Sequence, residues 1–249
     1  MATYSLALCL DAPMQSWGSK SRGSIRDTGR EPSKSGVIGL LAAALGVSRD
    51  DTDALAELSR LRMGTRVDRE GILERDYHVT LNVPTTAGGG HRTALSNRYY
   101  LADAVFLVVL EGNDDAQLGR IEAALGAPVW PLFLGRRAFP PARPLIQNSE
   151  GGQMCSGLGL MPQPMEAVLA NHPWLEDRPE VREAERRRTD RTPLRTVVDC
   201  DSRTPGAELR LDVPLSFKPE DRRYAARTVR TGSVSLTDGM ISVKESACT

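Results

Sequence analysis

The chain has 249 residues, 40% apolar and 26% charged, with 32 basic side chains balanced by 32 acidic ones. That is globular composition, and neither a bilayer-spanning run of about 18 apolar residues nor a basic, apolar signal peptide is expected. The four cysteines, Cys9, Cys155, Cys200 and Cys248, are too scattered for a metal site, so reduced thiols in a cytoplasm, with no cofactor and no membrane partner, are expected.

Tyr4, Leu6, Leu8 and Leu10 share one face at period two, predicting a half-buried strand over residues 3–10. Residues 11–34 lack periodicity and carry Pro13, Gly18, Gly23, Gly29 and Pro32; a structureless stretch of that length is usually functional or disordered. A helix is predicted from Ser33 or Ser35, as N-cap, to Gly46. Val37, Leu40, Leu41, Ala44 and Leu45 form its apolar stripe, while Gly36, Gly39 and Ala43 form a smooth face for close backbone approach. A short second helix follows over 52–59.

Residues 61–69 and 72–83 are predicted to be extended, and 91–101 to return after a glycine-rich tip, which makes a long projecting hairpin. The run 104–110 fits a strand buried on both faces. Asn113 or Asp114 begins a helix carrying Leu118, Ile121 and Leu125, and Leu132-Phe-Leu predicts a last short strand before the basic turn of Arg136 and Arg137. The class is α+β: a ferredoxin-like, RRM-like β-α-β-β-α-β domain over 1–147, with a projecting β-hairpin thumb at about 76–100. Residues 148–249 are expected to form a smaller, mainly β domain with strands at 194–199 and 207–213.

The zero net charge gives no global nucleic-acid footprint, but the loop over 11–35 concentrates Lys20, Arg22, Arg26, Arg30 and Lys34 against only Asp27 and Glu31. It ends at a helix N-terminus, which favours anions, and Trp17 offers either a face for a base or an anchor in the core. Gly29-Arg-Glu-Pro-Ser-Lys-Ser is one residue short of a P-loop and has Ser33 where glycine is needed, which sets an NTPase aside. A metal-independent ribonuclease would have to draw on Tyr77, His78, His91, Tyr99 and Lys34. The arginine-rich run from Glu176 to Asp201 reads as a self-paired, solvated face, or more sharply as a surface for a partner protein.

Pro13-Met-Gln-Ser-Trp-Gly and Thr28-Gly-Arg-Glu-Pro-Ser-Lys-Ser-Gly-Val-Ile-Gly-Leu-Leu-Ala-Ala-Ala-Leu-Gly closely resemble the CasD family. Arg49-Asp-Asp, Asp76-Tyr-His, Tyr100-Leu-Ala-Asp-Ala, Pro131-Leu-Phe-Leu-Gly-Arg, Phe217 and Arg227-Thr-Val-Arg extend the likeness. These are type I-E CRISPR Cascade subunits that hold the 5′ handle of the guide RNA (crRNA). The resemblance implies a RAMP variant of the RRM fold, with the hairpin a thumb against the neighbouring backbone subunit. It further implies the large PAM-reading subunit as a partner, target DNA indirectly, and no nuclease activity, although a sister branch does cut its RNA. Loop, charges and resemblance together assign to RNA Met14, Gln15, Ser16, Trp17, Gly18, Lys20, Arg22, Arg26, Thr28, Arg30, Lys34, Ser35, Gly36, His78, Arg92, Arg136, Arg137 and Arg227.

Overall fold

The computed structural model describes residues 3–18, 23–85, 88–146 and 157–242, so Lys20 and Arg22 lie outside the described residues. In chain order the first half holds β1 (Tyr4–Asp11), β2 (Met14–Gln15), β3 (Ile25–Arg26), α1 (Lys34–Leu45), α2 (Thr52–Ser59), β4 (Arg62–Arg69), β5 (Ile72–Pro84), β6 (His91–Ala102), β7 (Val105–Gly112) and α3 (Asp115–Gly126). The second holds β8 (Gly159–Met161), α4 (Met165–Asn171), α5 (Pro179–Arg186), β9 (Leu194–Asp199), β10 (Ala207–Ser216), β11 (Arg223–Val234) and α6 (Asp238–Ser242).

Seven strands make one antiparallel sheet in the order β10-β11-β9-β4-β7-β1-β8. β5 and β6 leave it as the hairpin, and β2 and β3 pair with β6 at its base. Leu6, Leu8 and Leu10 join α1 and α3 in the main core. Ala7 and Cys9 point the other way, into a second cluster with Met165, Val168 and Leu169 of α4. β1 is therefore buried on both faces rather than half-buried, because α4 covers the side that the period-two pattern left open.

Ser33 caps α1 by accepting from the Gly36 N–H, and Gly46 closes it. A Cβ at Gly36 would sit 2.8 Å from Cε3 of Trp17, so glycine is what lets the indole come this close to the helix. At Gly39 a Cβ would meet nothing within 4 Å; the close approach belongs to Gly36.

Two expectations are corrected. Residues 132–134 form no strand; β8 takes the place beside β1. Nor does the chain beyond 147 fold apart from the rest, since β8 to β11 extend the same sheet, with Gly64 of β4 opposite Val198 of β9.

One fully buried ion pair fastens the two halves. Arg66 binds Asp68 through two hydrogen bonds (2.7 and 2.8 Å) and donates to the carbonyls of Leu169, His172 and Pro173. Asp68 in turn accepts from the Leu175 N–H. Every polar atom in this set has a partner, so removing one member strands the others without water. Arg66→Leu is expected to lower stability by about 3–5 kcal/mol, read from the urea midpoint; a loss below about 1 kcal/mol would show that the anchor lies elsewhere.

Candidate nucleic-acid interface

The residues assigned to RNA separate into a buried group and an exposed group. Gln15 is fully buried and donates to the carbonyls of Leu10 and Ala104 while accepting from the Trp17 indole N–H. Trp17 is 2% exposed and packed in the core, so it presents no face to a base. Ser16 is buried against the Tyr99 carbonyl, Thr28 receives the Trp17 backbone N–H, Ser35 meets the Ser33 hydroxyl, and Gly36 lies under the indole. These residues shape the loop from inside. Met14 and Gly18 remain exposed on its rim.

The α1 N-terminus is also occupied from within. Asp212 accepts from the Lys34 N–H at 2.8 Å, the position an external anion would take. Arg227 grips Asp212 at 2.7 and 3.0 Å and also bonds Asp199, whose other oxygen takes the Lys34 ammonium at 2.9 Å. Lys34 is 5% exposed. Both Lys34 and Arg227 are thus corrected from RNA ligands to members of an internal network. Burial alone would raise the Asp212 pKa, but Arg227 and the Lys34 N–H outweigh it and hold the carboxyl below its ordinary range. Its stabilising contribution is therefore present near neutrality and is lost as the pH falls through the folded-state pKa.

The more accessible basic residues gather where the hairpin leaves the body. Arg26 of β3 lies opposite Arg98 of β6, and Arg98 lies opposite Asp76 of β5, so all three share one face. The loop 132–139 brings a third guanidinium. Gly135 has φ +95°, and a Cβ there would collide with the Ser16 carbonyl; this threading lays the loop along residues 13–17. Arg136 then donates to the carbonyls of Tyr99 (2.8 Å) and Arg26 (3.3 Å) and stacks 5.5 Å over the Phe139 ring. Burial, then the positive charges of Arg98 and Arg26, push the Arg136 pKa down, while Asp76 opposes them. Three cations face one carboxylate, an excess that an anion would relieve.

Arg98 was missed by the sequence reading; its signal was the Asn97-Arg-Tyr-Tyr run in the returning strand. Arg137, Arg30 and Arg92 are exposed, Arg92 near the hairpin tip, and His78 is half-exposed with Nδ1 3.7 Å from Asp76.

The groups considered for RNA cleavage do not converge. Tyr77 and His78 point to opposite faces of β5, His91 lies at the far end of the hairpin, and Lys34 is internal. His172 is buried between the Pro173 and Gly157 carbonyls, and burial pushes its pKa down. Among the described residues no cluster of three or more His, Cys, Asp or Glu could hold a metal, and no helix is long and apolar enough to cross a membrane.

The model of the CRISPR-associated protein (Cas_Cas5) family matches residues 5–230, and the chain belongs to that family. Its place within it is the CasD group: the chain is 39% identical over 160 residues to "CRISPR system Cascade subunit CasD" of Escherichia coli (strain K12), covering 59% of this chain and 70% of that one. A solved structure described as "CRISPR RNA-guided surveillance complex" is similar with a TM-score of 0.69 at 31% identity, covering 94% of each chain. Another, "Crystal structure of Cas protein", gives 0.66 at 34% identity over 92% of this chain and 94% of that one.

Lys34→Met should cost about 3 kcal/mol of stability, as for a buried pair losing one partner, yet leave the salt dependence of RNA binding by the folded protein unchanged. A shallower salt dependence with an unmoved urea midpoint would return Lys34 to the interface.

Proposed function

We propose that this chain is a non-catalytic RNA-binding subunit of a Cascade-type CRISPR surveillance complex, seating the guide RNA's 5′ handle at the hairpin base. The observation that carries the reading is the meeting of Arg26, which is exposed, with the half-buried Arg98 and Arg136 on one face. Three separate stretches of the chain supply that face, and two of them, around Arg26 and Arg136, lie in or beside the motifs that resemble the CasD family. Phosphates would lie on the guanidiniums, and Met14, Gly18 and Arg137 would line the approach. Binding a single strand this way fixes its position through the backbone and leaves the bases free for other contacts.

The antiparallel order β4-β7-β1-β8, with α1 and α3 packed on one face, supports the ferredoxin-like RAMP plan. The hairpin would then be the thumb that meets the neighbouring backbone subunit. It carries Tyr77, Val79, Leu81 and Leu95 exposed, at 46% to 67%, an apolar surface suited to a protein neighbour. The large PAM-reading subunit and, through the guide, target DNA complete the proposed partners.

The test is binding of labelled guide RNA with an intact or scrambled 5′ tag over a salt series. Tag-preferring binding with uncut RNA is expected. Arg26→Ala, Arg98→Ala and Arg136→Ala should each reduce the slope of log K against log salt by about 0.7 for every phosphate left unneutralised. Unchanged slopes in all three folded variants would sink the seat, and specific cleavage would replace binding with catalysis.

A further inference from the structure

The back of the main sheet is unevenly covered. α4 packs across β1, β7 and β4, with Met165 and Leu169 closing on Gly64. Among the described residues α5 and α6 meet β11 at its far end, where Val234 packs beside Val181, Met240 and Ile241, and α1 and α2 meet β10 from the front. The front is fixed by two contacts: Arg210 turns to Glu31, and Asp212 to the N-terminus of α1. Leu209 and Leu211, offset by one residue, therefore face the back, where they are 76% and 63% exposed.

Opposite them on β11 stand small residues, Thr228 across from Leu209 and Ala226 across from Leu211. Arg230 follows on the same face. It is exposed and has no ion-pair partner among the described residues. The patch is a shallow apolar strip with room for close approach and one cation at its end.

The strand edge itself is poorly suited to adding another strand. β10 breaks register between Leu211 and Val213 and again between Pro214 and Ser216, and Pro214 has no N–H to offer. An occupant must come face-on. A second copy of the chain would bring the same strip, whose residues Leu209, Leu211, Ala226, Thr228 and Arg230 include no acid. A helix lying beside α4 would instead continue the layer already covering the sheet.

We propose that the outer face of β10 and β11 docks an amphipathic helix of another protein subunit in the same complex. Apolar residues at helical spacing cover Leu209, Leu211 and Ala226, and an acidic residue pairs with Arg230. The inference rests on the proposed function only for where the partner is sought.

The experiment replaces Leu209 with the photo-crosslinker p-benzoylphenylalanine in the complex assembled from the full chain, its protein partners and guide RNA. Mass spectrometry should find the adduct on a helix of another subunit that has an apolar face and an acidic residue. An adduct on RNA, on a second copy or on an extended segment, or no intermolecular adduct, would overturn the proposal. Leu209→Glu/Leu211→Glu and Arg230→Glu should each weaken retention of that subunit roughly tenfold or more, and unchanged retention in both would equally overturn it. Tag-preferring RNA binding by the same variants should be unaltered, which separates failure of this surface from failure of the RNA seat.

Discussion

Two carboxylates from the last quarter of the chain hold Lys34 and Arg227 at the start of α1: Asp212 accepts from the Lys34 N–H and from Arg227, and Asp199 bonds the Lys34 ammonium and Arg227. The free N–H groups of a helix start attract negative charge, and here the molecule satisfies them itself. With α1 fixed, Gly36 sets the height of the Trp17 ring. Trp17 then pins the loop through Thr28 and Gln15. That loop supports residues 132–139, which present Arg136 beside Arg26 and Arg98. The cationic face thus depends on a buried charge network at the opposite end of the loop.

Much of the fold was legible because its signals are local. The caps of α1, the apolar run of β7 and the long hairpin each follow from spacing and turn residues within about a dozen positions. What escaped depends on distant sequence. β11 has one fully buried apolar residue, Val229, and so lacks strand patterning, while β8 is three residues long. The segment 132–134 is apolar because Leu134 enters the core, and burial without hydrogen-bond partners in register makes a loop, not a strand. At the site, Lys34 and Arg227 have the residue types of phosphate ligands, but their counter-charges come from remote positions that no window around either residue contains. Trp17 was open to both readings, and Gly36 decided for the core.

The balanced net charge conceals a division of labour among the arginines. Arg66, Arg69, Arg178, Arg195 and Arg227 are answered by internal carboxylates. Glu176, held by Arg69 and Arg178 against the cost of burial, has its pKa lowered to about 2. Such pairs fasten structure and add little long-range field. The run from Glu176 onward shows the same pattern on its surface, where Glu183 and Glu185 of α5 pair with Arg186, Arg187 and Arg188. A neutral sum is compatible with a local cationic face when much of the positive charge is neutralised at its own position.

The continuous sheet also bears on how the chain is made. β1, β4 and β7 leave the ribosome early, but the strands that flank them, β8 and β9, end at Met161 and Asp199. Between the emergence of β4 and that of β9 the nascent chain carries an open strand edge, and until Asn171 is made the sheet also lacks its α4 cover. At ordinary synthesis rates that interval lasts roughly ten seconds, ample time for unwanted edge-to-edge pairing. Its first half therefore emerges as a sticky, unfinished sheet, and shielding during translation is built into the requirements of this topology.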